Sequence, residues 1–276
     1  KGGVGKTTTS ATLAVSLANA GKDVVIVSTD PAHSLGDALD VNLKGGRMMP
    51  VPTSMSSLSA MEIDPSQSLS QFKSLVDDLV GKLPQEQQQQ QEGGLADTLS
   101  SLSSLFDTLP AGTDEVVALA KIVNILNNDK DEHDVVILDT APTGHTLRML
   151  TTPGFVAELI DRVLVISDKV KNNAAVNMML ATAGAGAGVS REDVAAGAQR
   201  AREALLKFQL QMYDLEDIFC AAARTEFLIV TIPTELAARE SIRLLNDLTF
   251  ESEDMPIKVR DVVVNQVLGE ETDVDA

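Results

Sequence analysis

The sequence predicts an α/β fold, a parallel sheet flanked by helices with a helical subdomain inserted into it. Three observations carry this. The chain opens on Lys1-Gly2-Gly3-Val4-Gly5-Lys6-Thr7-Thr8, a glycine-rich turn running into a helical pattern. Short, continuous apolar runs recur down the chain, as in strands buried on both faces. Long helical stretches lie between those runs, as parallel connections require.

The elements follow in order. Thr7 to Ala20 is small and helix-forming, and Gly21 is a helix stop. Asp23 to Thr29 reads as a buried strand and Leu58 to Ile63 as a shorter one. Ser68 to Leu83 is amphipathic and helical, and the glutamine tract Gln85 to Gln91 is a low-complexity loop. Leu95 to Leu109 and Asp114 to Asn127 read as helices, and Asp134 to Asp139 as the next strand. Pro153 to Phe219 is a helical block. Within it Val163 to Ile166 is read as helix because its flanks are helical, and Gly184 to Gly188 is a small-residue loop. Ser190-Arg191-Glu192-Asp193 resembles a capping box, opening a helix with an apolar seam from Val194 to Phe219. Glu226 to Ile232 and Val259 to Asn265 are the last strands, separated by a helix from Leu236 to Leu248.

In the opening octet, glycines let successive N–H groups turn toward a polyphosphate, Lys6 sets an ammonium against the outer phosphates, and Thr7 offers a hydroxyl to Mg²⁺. The usual loop has a further Gly four residues before Gly5, which falls one residue ahead of Lys1. Such loops follow a buried strand, so a natural N-terminus beyond Lys1 is expected.

Composition narrows the function. The 276 residues are 44% hydrophobic, enough for a sizeable core. A net charge of −18 argues against nucleic-acid binding, which needs Lys and Arg against phosphates. One cysteine, Cys220, excludes an intrachain disulfide and a Cys-x-x-Cys zinc corner. No apolar run reaches the roughly 20 residues of a bilayer span, so an integral membrane protein is not expected.

Ligands of open parallel sheets bind at the carboxyl ends of the strands. Three polar segments fall there: the opening loop, Asp30-Pro31-Ala32-His33-Ser34, and Asp139-Thr140-Ala141-Pro142-Thr143-Gly144-His145. Asp139, after four apolar residues, fits a carboxylate acting on Mg²⁺ through water. Asp30 is then free to orient or deprotonate the attacking water. This is the equipment of a Mg²⁺-dependent ATP hydrolase. His33 and His145 are read as hydrogen-bonding loop residues rather than zinc ligands.

These segments, with Asp107 to Glu115 and Val262-Val263-Val264-Asn265-Gln266, resemble the arsenite-pump ATPase family, P-loop ATPases with a deviant phosphate loop. That family includes the ATPases of guided entry of tail-anchored membrane proteins, and the similarity covers most of the chain. The resemblance implies a homodimer in which Lys1 acts on the partner's nucleotide, with Gly2, Gly3, Val4, Gly5, Lys6, Thr7 and Thr8 holding phosphate. It implies that Thr7 and Asp139 serve Mg²⁺, that Asp30 assists water attack, and that Pro142, Thr143 and Gly144 form a second switch. Asn265 is similar to the family's adenine-reading asparagine.

The implied organisation is a nucleotide-hydrolase core of residues 1–64, 134–152 and 224–276. A helical client-binding subdomain of residues 65–133 and 153–223 is inserted into it. Flexible, polarizable Met178, Met179 and Met212, with Leu180, are the candidate client-binding residues. The implied function is ATP-dependent binding of the hydrophobic segments of tail-anchored proteins and their delivery to a membrane, with a membrane receptor as partner. A cytoplasmic location, or a plastid stroma after removal of a transit peptide, is expected. An arsenite-type pump ATPase is the first alternative, but one cysteine cannot supply three thiolates. A partitioning or positioning ATPase is the second, disfavoured by the long helical insertion and the acidic charge.

Overall fold

The computed structural model describes residues 3–30, 34–52, 57–80, 113–126, 133–140, 146–171, 191–221, 223–250 and 258–267. The chain divides into two compact units. The first comprises Lys1–Asp64, Ile125–Leu147 and Asp217–Ala276, and the second Pro65–Asn124 and Arg148–Glu216.

In the first unit, helix α1 (Lys6–Asn19) follows the opening loop directly. Its buried residues are Ala11, Ala14 and Ala18, whose small side chains let the helix lie close on the sheet. Gly21 ends it at φ +87°, with Gly21 N–H donating to Ala18 and Lys22 N–H donating to Leu17. That pair of bonds is a Schellman motif, and glycine adopts its left-handed residue without strain.

Strand β1 (Val24–Ser28) is buried at every position, as its apolar run requires. It pairs in parallel with β3 (Leu58–Glu62) on one side and β4 (Val135–Asp139) on the other. The register sets Ser28 opposite both Glu62 and Asp139, so three polar residues end three adjacent strands together. The two-residue strand β2 (Met49–Pro50) pairs antiparallel with β3 at the sheet edge, where the missing N–H of Pro50 is tolerated. Helix α2 (Ser34–Leu39) follows β1. One apolar cluster under α1 gathers Ala11, Ala14, Ala18, Val24, Ile26, Leu35, Leu43, Val51, Leu58 and Ala60.

Strands β5 (Phe227–Thr231) and β6 (Val259–Val264) pair in parallel as a second sheet, with helix α7 (Glu235–Phe250) between them in sequence. The sequence leads to one sheet. Among the described residues the order is β2-β3-β1-β4 in one ladder and β5-β6 in another. With a single described neighbour each, β5 and β6 leave Leu228, Val262 and Val264 exposed, although their runs read as buried.

The described part of the second unit is helical: α3 (Pro65–Val80) and most of α4 (Thr113–Leu126), α5 (Thr146–Lys171) and α6 (Arg191–Cys220). Val163 to Ile166 lies in α5, and that helix runs straight through Pro153, where the sequence reading begins a new block. On α6, Ala201, Leu205, Met212, Leu215 and Phe219 are buried, following the seam. Phe208 of α6 meets Phe72 of α3 with ring centroids 5.1 Å apart. Buried Gln209 donates to the Ala157 carbonyl at 3.1 Å and to Asp161 at 2.8 Å, tying α6 to α5. The expected helix Leu95 to Leu109, the glutamine tract and the loop Gly184 to Gly188 lie outside the described residues.

Candidate active site

The site is built from the carboxyl ends of β1 and β4 and the start of α1. Gly5 caps α1 at φ 87°, ψ 30°, a left-handed conformation that favours glycine. A Cβ there would also overlap the side-chain nitrogen of Asn265, so any other residue would both strain the backbone and displace that side chain. Gly3 is likewise left-handed at φ 84°. Lys6 is the first helical residue, and Thr7 and Thr8 follow in the first turn, where free N–H groups and the helix dipole favour an anion. Thr9 closes the turn, its N–H and hydroxyl both donating to the Gly5 carbonyl at 2.9 Å.

Asp139 is the centre of the arrangement. It is only 2% exposed. Ser28 Oγ donates to its Oδ2 at 3.3 Å and Ser10 Oγ to its Oδ1 at 3.4 Å. Burial pushes its pKa above the ordinary carboxylate value; hydrogen bonds from Thr7 and Ser28 and the charge of Lys6 pull it back, and the charge of Asp30 pushes it further up. Thr7, Lys6 and Asp30 therefore all act on Asp139, the first by a hydrogen bond and the other two by charge. Thr7 Oγ1 also lies 3.2 Å from Ser34 Oγ, at the start of α2.

Asp30 follows β1 by two residues, and its N–H donates to Ser28 Oγ at 3.2 Å. The Thr29 N–H between them donates to the Asp139 carbonyl at 3.1 Å. One serine thus ties the Asp139 carboxylate to the backbone of Asp30. The Thr29 hydroxyl is buried without a hydrogen-bond partner among the described residues. On the other flank, buried Glu62 accepts the Gly36 N–H at 2.9 Å, fixing the turn of α2 that follows Asp30.

Asn265 follows β6 and reaches the loop itself, its Nδ2 donating to the Val4 carbonyl at 3.1 Å. Lys1 and Gly2, the second-switch residues Pro142, Thr143 and Gly144, the histidines His33 and His145, and Met178, Met179 and Leu180 lie outside the described residues. Met212, expected at a client surface, is instead fully buried in the helical unit. It falls on the seam of α6, and a seam that packs against neighbouring helices leaves no face for a client.

Sequence reasoning missed Ser10, Ser28, Glu62 and Gln266. Ser28 and Glu62 had a signal, since each is the polar end of an apolar strand in register with Asp139 or Ser28. Ser10 had a weaker one, three residues after Thr7 on a helix face. Gln266 had none, because its role depends on a left-handed backbone.

Comparison with known proteins places the chain among named ATPases. The chain is 38% identical to ATPase ARSA1 of Chlamydomonas reinhardtii, over 97% of its own length and 34% of that protein. It is 36% identical to ATPase GET3B of Arabidopsis thaliana, over 97% of its length and 62% of the relative. It is 34% identical to ATPase ASNA1 homolog 2 of Paramecium tetraurelia, over 97% and 74% respectively. The chain thus spans from about a third to three quarters of the length of these relatives. A family model described as anion-transporting ATPase matches residues 1–276, end to end. With a phosphate loop, two strand-end aspartates and relatives of this kind, the chain belongs to the anion-transporting ATPase family.

Proposed function

We propose that the chain hydrolyses ATP with Mg²⁺ and uses the cycle to bind hydrophobic segments of tail-anchored membrane proteins and deliver them to a membrane. The observation that carries the hydrolase part is the meeting of Thr7, Lys6, Asp30 and Asp139 at the strand ends beside a left-handed glycine loop. Family membership and GET3- and ASNA1-named relatives support the targeting part.

The donors fit Mg²⁺. They are hydroxyl and carboxylate oxygens, the hard ligands it prefers, and Mg²⁺ usually takes few protein ligands beside water and substrate phosphates. Thr7 would hold it directly and Asp139 through water, and when bound it neutralises charge on the phosphates. The N–H groups of the loop, with Gly2, Gly3, Val4, Gly5 and Thr8, grip the phosphate chain, and Lys6 stabilises charge on its outer end. Asp30 accepts the proton of the attacking water as the terminal phosphorus–oxygen bond breaks and ADP leaves. Ser28 holds the backbone that presents Asp30. Asn265 contacts the adenine, and Pro142, Thr143 and Gly144 respond to the phosphate. Lys1 completes the site across a homodimer.

The client rests on the helical unit, with Met178, Met179 and Leu180 among its contacts. A second surface on α6 supports this, because Leu206, Leu210 and Tyr213 are exposed at spacings of four and three, opposite the buried seam. A receptor at the target membrane then accepts the client. Among the described residues no helix is long and apolar enough to cross a membrane.

Asp30→Asn tests the reaction. Nucleotide binding should persist while turnover falls at least ~100-fold, the usual scale for losing a general base. The same preparation with ATP should sediment as a dimer. Near-normal turnover would remove Asp30 from the chemistry, and a monomer under every condition would remove Lys1 from the partner's site.

A further inference from the structure

The residues at the end of β6 do more at the loop than face a base. Asn265 N–H continues the ladder to the Thr231 carbonyl at 2.7 Å, which anchors the residue to the sheet. Its side-chain oxygen accepts the Gln266 N–H at 2.8 Å, and its side-chain nitrogen donates to the Val4 carbonyl at 3.1 Å. Gln266 then sends its own Nε2 to the Gly3 carbonyl at 3.0 Å. To do so it adopts φ +55°, one of two non-glycine residues with positive φ among those described. A side chain held in the left-handed region is costly and persists only where surrounding bonds enforce it.

The two carbonyls are the ones this loop must dispose of. When a loop turns its N–H groups inward to an anion, its carbonyls turn outward and need donors. The Val4 and Gly3 carbonyls are adjacent, and the amides of Asn265 and Gln266 meet one each. We infer that Asn265 and Gln266 are positioning residues that brace the outward carbonyls of the loop and keep its N–H groups preorganised for phosphate before any nucleotide arrives.

This rests on the reading of the loop as a polyphosphate site, but it differs from base recognition in what it predicts. A residue that only reads adenine matters for ATP and not for a phosphate chain without a base. A brace on the loop matters for both alike. It also acts in the empty protein, where no ligand is needed to see it.

The experiment has two arms on the full chain. In the first, amide hydrogen exchange is followed across residues 1–8 without nucleotide. Gln266→Ala should raise exchange there several-fold, and so should Gln266→Gly, which keeps the left-handed backbone free of strain but removes the amide. Unchanged exchange in Gln266→Gly overturns the proposal even if the alanine variant folds poorly. In the second arm, ATP and inorganic tripolyphosphate are titrated calorimetrically. Gln266→Gly and Asn265→Ala should each weaken tripolyphosphate by about fivefold, the scale of one net hydrogen bond. Asn265→Ala should weaken ATP at least as much. Normal tripolyphosphate binding by both variants, with loss confined to ATP, overturns the brace and leaves base reading alone. Failure of the unaltered protein to bind ATP would instead count against the hydrolase reading, and the exchange arm would still decide the brace.

Discussion

Asp139 shows how much of the site one residue carries. Its carboxylate is buried, held by two serines, and disfavoured in its charged form. A folded-state pKa above the unfolded value means that folding is favoured while the group is protonated. That contribution is complete below the ordinary value of 3.8 and is lost as pH rises through the raised folded value. Ionising Asp139 thus costs the folded protein stability, a cost borne for the sake of its site. Asp139→Asn should raise the melting temperature of the ligand-free protein at pH 7, and the gain should shrink as pH falls below that value, while Mg²⁺-dependent turnover drops. A variant less stable than the parent at neutral pH would show that the hydrogen bonds to the carboxylate outweigh its burial. The two aspartates were legible because one ends an apolar run and the other follows one closely. Ser28, which bonds the Asp139 carboxylate and the Asp30 N–H, was not singled out, since a serine in a strand shows its chemistry only once the register sets it beside a carboxylate.

Helix α6 separates two readings of one apolar pattern at the scale of the element. Its seam was legible, because spacings of three and four mark one face of a helix. Which apolar residues face inward was not, because two stripes lie on it. Leu205 and Met212 are fully buried, whereas Leu210 is 64% exposed. Leu205→Ala should cost about 2–5 kcal/mol of stability, the range for a buried leucine. Leu210→Asp should stay within about 0.5 kcal/mol, as exposed substitutions do, and leave ATP hydrolysis unchanged. Capture of an apolar client segment should nevertheless fall sharply in Leu210→Asp. Denaturation curves and a pull-down of a peptide ending in an apolar segment check both, and retained capture would move the client off this stripe. Pro153 carries the complementary lesson. Proline ordinarily ends or kinks a helix, yet α5 continues through it, so a breaker signal can yield to the packing around it.

The whole molecule joins a phosphate-loop unit to a helical one, and the apolar runs announced most of the strands. The edge strand β2 was invisible, since two residues have no period to read. That β5 and β6 pair only with each other among the described residues was also invisible, because an apolar run does not state which neighbour a strand meets. Under the proposed function, the nucleotide cycle on the phosphate-loop unit governs a hydrophobic client on the helical one. The most direct measurement loads the full chain with a fluorescent peptide ending in a ~20-residue apolar segment, the length of a membrane span. It then follows release to vesicles after ATP and Mg²⁺ are added. The account predicts capture by both the parent and Asp30→Asn, and release only by the parent. Equal release from both proteins, or no capture by either, would contradict it.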